Sequence, residues 1–218
     1  MENTIKLPRW GFWLIWIGSA LLADIIVYKG NITQAIYELL GYSFGIRAPV
    51  GNALRVTGQE AENLNYLISV IAIVVASIIF GAIIGAIQSA ILKPYFGKSG
   101  WWWATALGYG VANIIGILLF RKLDEGITIG ISPIALGLFQ WFVLRKKISK
   151  AYTWIVIVVL AWVLNYHVVY LILVNIGMLD FQGVVRDGFI IGGAMVWYLH
   201  KLYPYEDKSS TLVTEPSS

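Results

Sequence analysis

Residues 66–92 read YLISVIAIVVASIIFGAIIGAIQSAIL, 27 positions without one charged side chain. The hydrocarbon core of a bilayer is roughly 30 Å thick and needs about 20 mostly apolar residues per helix. This stretch exceeds that length, and it places the chain among membrane proteins. Working outward, the other windows that qualify are 11–28, 101–120, 127–144, 152–176 and 183–203. The last is the weakest, because Arg186 and Asp187 interrupt it. Apolar residues make up 58% of the 218 positions and charged residues 13%, too oily a balance for a soluble domain.

These windows predict an all-α, integral membrane six-helix bundle occupying residues 1–208 as one domain, followed by a disordered tail at 209–218. Orientation follows from the basic residues. With the N-terminus inside, Lys6, Arg9, Lys93, Lys98, Arg145, Lys146, Lys147, Lys150, Lys201 and Lys208 fall on the cytoplasmic side, ten of the sixteen Lys and Arg residues. The positive-inside rule therefore favours cytoplasmic termini at both ends. Trp10, Trp13, Trp101, Trp102, Trp103, Trp154 and Trp197 thicken the aromatic belt on the same side. The expected address is a bacterial cytoplasmic (inner) membrane. The net charge of +4 sits in clusters at helix ends, a topology signal and not a nucleic-acid footprint. The expected partners are the lipid bilayer and a small solute or a membrane-protein partner, with no nucleic acid.

The outer loop at 29–65 carries Ile32, Ala35, Ile36, Leu39 and Leu40 at helical spacing after Asn31, a plausible N-cap. An interfacial helix is expected there.

A shift of 52 residues, without a gap, superposes Gly85 on Gly137, Gln88 on Gln140, Leu92 on Leu144, Lys93 on Arg145, Lys98 on Lys150, Trp102 on Trp154 and Asn113 on Asn165. Spans two and three and spans four and five then form two hairpins of one orientation. A third copy arises if span six pairs with span one. Gly192, Met195, Leu199 and His200 match Gly137, Gln140, Leu144 and Arg145, while Arg9, Trp13 and Asp24 keep the spacing of Lys98, Trp102 and Asn113. The pattern predicts three pseudo-repeated helical hairpins and contact between the first and last spans. It also argues that the first span is retained, although Lys6 and Arg9 before an apolar stretch resemble a signal peptide.

At 1.5 Å per residue, Asp24, Asn113 and Asn165 lie about 22 Å from the basic residue that starts each helix. They form an expected outer polar tier, with Gln88 and Gln140 in an inner one. Arg186 lies nearly level with Asp24 and predicts an Asp24–Arg186 ion pair, since an isolated membrane charge costs about 2.5–3.5 kcal/mol. The candidate ligand-binding set is Asp24, Asn113, Asn165, Arg186, Asp187, Gln88 and Gln140. The bland account of the same residues is interhelical hydrogen bonding.

The stretch Gly137-Leu138-Phe139-Gln140-Trp141-Phe142-Val143-Leu144-Arg145 resembles the G-x-x-Q-W-x-x-L-R helices of uncharacterised multipass bacterial, often cyanobacterial, membrane proteins. Ser89 after Gln88 and Val196 after Met195 depart from that pattern. The resemblance implies fold and bacterial origin, and it carries no activity, cofactor or site residue.

Chemistry is bounded by what is missing. No cysteine is present, so thiolate metal sites and cysteine nucleophiles are excluded. No H-E-x-x-H, nucleophile elbow or phosphate loop occurs, so no enzyme activity and no cofactor or metal is expected. His167 and His200 fall on different helices at different depths, which disfavours a bis-histidine haem site. Two functions remain: a membrane-embedded small-solute binding or transport module, or a non-catalytic accessory, assembly or immunity-type subunit of a membrane complex.

Overall fold

The computed structural model describes residues 9–43, 59–97, 99–120, 125–148, 150–175 and 184–202. The described residues are helical, without strands. They form α1 (Arg9–Asp24), α2 (Ile32–Ser43), α3 (Gln59–Phe96), α4 (Trp101–Phe120), α5 (Glu125–Leu144), α6 (Thr153–Leu164), α7 (Tyr170–Asn175) and α8 (Ile191–Leu202). Three wider π-helical turns interrupt the α geometry, at Ile25–Lys29 after α1, Asn165–Val169 between α6 and α7, and Val184–Ile190 before α8.

Three helical stretches are long and apolar enough to cross a membrane: Trp10–Gly41, Gln59–Phe96 and Trp101–Leu119. Pro133–Leu144 and Thr153–Leu164 are shorter apolar helices. The 38 residues of α3 measure about 57 Å, nearly twice a hydrocarbon core. It outruns the 66–92 window at both ends. It continues through Pro94 and stops at Gly97, whose φ of +68° is the left-handed conformation that closes helices, with its N–H bonded to the Lys93 carbonyl at 2.8 Å.

Within 29–65 a helix does form: α2 packs on α3 and is tied to it by the Tyr37 hydroxyl donating to Asn65 Oδ1 at 3.2 Å. Asn31 is not the extended cap that its residue type predicts. Its φ is 55°, in the left-handed region that asparagine tolerates, and its carbonyl accepts the Ala35 N–H at 2.9 Å. Residues 44–58 of that loop and the tail from 203 onward lie outside the described residues.

In chain order, α3 packs on α4, α4 on α5 and α5 on α6, while α1 packs on α3, on α8 and on the π turn that precedes α8. The first and last helices therefore touch, as their matching patterns predict. Glycine makes the close crossings: a Cβ on Gly85 would meet the Trp102 Cα at 2.8 Å, one on Gly137 the Ile155 Cα at 3.0 Å, and one on Gly188 the Ile17 Cα at 3.0 Å.

Three indoles fill the centre. Trp16, Trp101 and Trp154 are fully buried, with Trp101 6.3 Å from Trp16 and 6.1 Å from Trp154 between ring centroids. Phe12 extends the chain of rings at one end and Tyr198 at the other. A buried indole N–H needs an acceptor. Trp101 donates to Gln88 Oε1 and Trp154 to Gln140 Oε1, each at 2.8 Å, while Trp16 donates to the Asp187 carbonyl at 3.1 Å.

These bonds correct the gapless alignment by one residue. Gln88 and its indole are 13 positions apart, Gln140 and its indole 14. The counterpart of Trp154 is thus Trp101, whereas Trp102 points outward and is 52% exposed. Gly137 likewise faces Ile155, one place beyond the residue that the 52-residue shift assigns to Trp102. The path from Gln140 to its indole is one residue longer than the path from Gln88 to its own.

Candidate functional site

The inner glutamines are occupied. Gln140 spends its oxygen on Trp154 and donates its amide to Thr105 Oγ1 at 3.2 Å, and Gln88 holds Trp101. Met195, at the third equivalent position, is wholly buried and apolar. This tier clamps helices together around the indoles.

The outer tier is built differently. Asp24 ends α1 where its π turn begins, Asn165 opens the π turn after α6, and Arg186 and Asp187 sit inside the π turn before α8. A π turn shifts hydrogen bonds from i−4 to i−5 and leaves the backbone wider and less regular, and such turns recur at functional sites. Asp24, Asn165 and Asp187 are all buried.

Arg186 pairs with its neighbour Asp187, not with Asp24 as the helix levels predict. Its Nε donates to Oδ1 at 2.9 Å and its Nη2 to Oδ2 at 2.8 Å, a bidentate fork. Adjacent residues on a regular α-helix do not face each other; here the pair closes on π-helical backbone. The guanidinium also lies 4.0 Å over the centre of the Trp162 ring. The buried phenol of Tyr109 reaches Asp187 from α4, and Tyr28 lies in the field of Asp24, Arg186 and Asp187 together. Phe80 packs between these phenols, 5.3 Å from Tyr109 and 5.5 Å from Tyr28. The charges expected from sequence are thus gathered in one region, with an aromatic wall that patterning does not reveal.

Asn165 lies in the π turn that packs against the one holding Arg186 and Asp187. It is 3% exposed, yet its Oδ1 has no hydrogen-bond partner, and the buried Trp162 Nε1 lacks an acceptor too. An unpartnered buried polar atom costs about 1–3 kcal/mol. Asn113 takes no part. It is half-buried and donates back to the Tyr109 carbonyl of its own helix at 3.1 Å, on a helix that stays regular to Phe120. The one-residue offset explains this, because it sets Ala112, not Asn113, level with Asn165; Ala112 is buried. His167 is an exposed member of the same π turn as Asn165. Among the described residues no group of three or more potential metal ligands forms.

No protein-family model matches the chain, and no curated protein or solved structure is significantly similar to it. The site's own chemistry therefore carries the functional reading.

Proposed function

We propose that this protein is a membrane-embedded small-solute binding or transport module whose site is the outer tier of Asp24, Asn165, Arg186 and Asp187. The carrying observation is the unpartnered Oδ1 of buried Asn165, in a π turn packed against the one that holds the part-buried Arg186–Asp187 ion pair. Structural polar groups in a membrane bundle find partners, as Gln88 and Gln140 do. Those two belong to the scaffold, and Asn113 sits at the margin. Intramembrane charge that faces the bundle interior marks a substrate or ion path by default. The groups left unspent are the Asn165 acceptor and the Trp162 donor, so the favoured solute carries both hydrogen-bond donors and an acceptor.

Around this site we read six helical segments crossing a bacterial inner membrane, with both termini cytoplasmic. The hairpins α3–α4 and α5–α6, with the pair of α8 and α1, are three pseudo-repeats. The Gln–Trp bond common to two hairpins and the packing of α1 on α8 support that reading.

An experimental map of the protein in lipid, fine enough to place ordered water, tests the proposal. It is expected to show solvent or solute density against Asn165 Oδ1 and the Asp187 side. A dry tier, with Asn165 satisfied by protein alone, would overturn it and leave the accessory or assembly subunit as the better account.

A further inference from the structure

A second feature lies away from the outer tier, at the helix ends that carry Lys93 and Arg145–Lys147. A cavity of about 270 Å³ opens there between the turn after α3, the start of α4 and the end of α5. Phe96, Trp103, Phe142 and Val143 are its apolar lining, and Ser99, Lys146 and Lys147 its polar lining. The rings of Trp103 and Phe142 are exposed at the level where three apolar helices end. Lys146 and Lys147 are exposed beyond the last turn of α5.

Three details give this cavity a preference. The Ser99 hydroxyl is buried without a hydrogen-bond partner, although the residue lines the cavity. The first-turn amides of α4 begin at Trp101, directly after Ser99 and Gly100, and such amides lack intrahelical partners and favour anions. Arg145 stacks 3.6 Å over the ring of Phe142, which lines the cavity, so a third cation lies against that wall residue. Two lysines and a hydroxyl residue thus line the cavity together with apolar and aromatic side chains. That pairing matches a phosphodiester joined to acyl chains and not a freely soluble anion, which would have no use for the wall.

We infer that this cavity binds the headgroup phosphate of an anionic phospholipid, with Lys146, Lys147 and Ser99 as its contacts. The site is independent of the solute-binding reading above.

Native mass spectrometry of the full-length protein in detergent, with phosphatidylglycerol or phosphatidylcholine added, tests it. Phosphatidylglycerol is expected to be retained in preference. The K146Q/K147Q variant is expected to bind it about tenfold or more weakly, in keeping with the contribution of each basic residue near an anionic lipid surface. S99A should weaken retention severalfold. K146R/K147R should keep it, and K93Q/K150Q, whose lysines do not line the cavity, should match the wild type. Both target lysines are exposed, so an unchanged melting midpoint verifies that the variants fold. Equal retention of phosphatidylcholine, or an equal loss in K93Q/K150Q, would overturn the site in favour of diffuse charge. Displacement of the lipid by millimolar inorganic phosphate would assign the cavity to a soluble anion instead.

Discussion

D187N is expected to destabilise the protein by about 3–5 kcal/mol, the cost of stranding a buried charge when its partner is removed. The asparagine keeps the shape of the side chain, so the loss reports charge and not volume. Arg186 has both arms of its fork on Asp187 and lies over an indole face, a position that a cation without its counter-charge cannot hold cheaply. The double variant R186M/D187N should recover much of that loss, because replacing both members of a buried pair with neutral groups is often nearly neutral. Denaturant titration in micelles with a helix-content readout measures both. If D187N behaves like the wild type, Arg186 has moved to another carboxylate, and Asp24 is the one that helix levels nominate.

The second large effect separates two neighbouring tryptophans. W101A should cost about 3–5 kcal/mol, as Trp-to-Ala changes in cores do. The indole is fully buried between two others, and its loss also leaves Gln88 Oε1 without its donor. W154A should cost as much for the same reasons on the Gln140 side. W102A should cost less than about 1 kcal/mol, the range for surface positions without a special role, since the ring points outward. The gapless 52-residue alignment makes the opposite forecast, a large effect at Trp102. Thermal unfolding of the three variants in one detergent decides between them.

The contrast shows what patterning can resolve. Helices long and apolar enough to cross a membrane, the helix within 29–65 and the touching first and last helices are all legible, because each depends on composition or on the pattern along a helix. The register between α4 and α6 is not, because Trp101, Trp102 and Trp103 are chemically identical candidates for one buried position, and a turn can hold an extra residue without leaving a mark. That one slip displaces Asn113 from the tier. The charged set at Asp24, Arg186 and Asp187 is foreseeable, since charges in an apolar run must find company. Their pairing is not, because it depends on π-helical turns that no residue type announces. Tyr109 and Trp162 escape notice for a plainer reason: aromatic residues are abundant here, and nothing in their spacing singles them out. Thr105 carries a faint signal, a hydroxyl within the apolar face of α4, and its partner is Gln140.

The central claim is a polar site in the outer half of the bundle that water reaches, and the absence of native cysteine makes it directly measurable. Single cysteines at Asn165 and Val158 occupy buried positions on the same helical run, one in the tier and one below it. A membrane-impermeant thiol reagent reacts with a thiolate, which forms where water is present. Applied from the outer side, it is expected to modify N165C at least about tenfold faster than V158C, since V158C lies in the packed core around the indoles. Equal protection of both positions would contradict the account, because a tier that water cannot enter does not bind a solute from water.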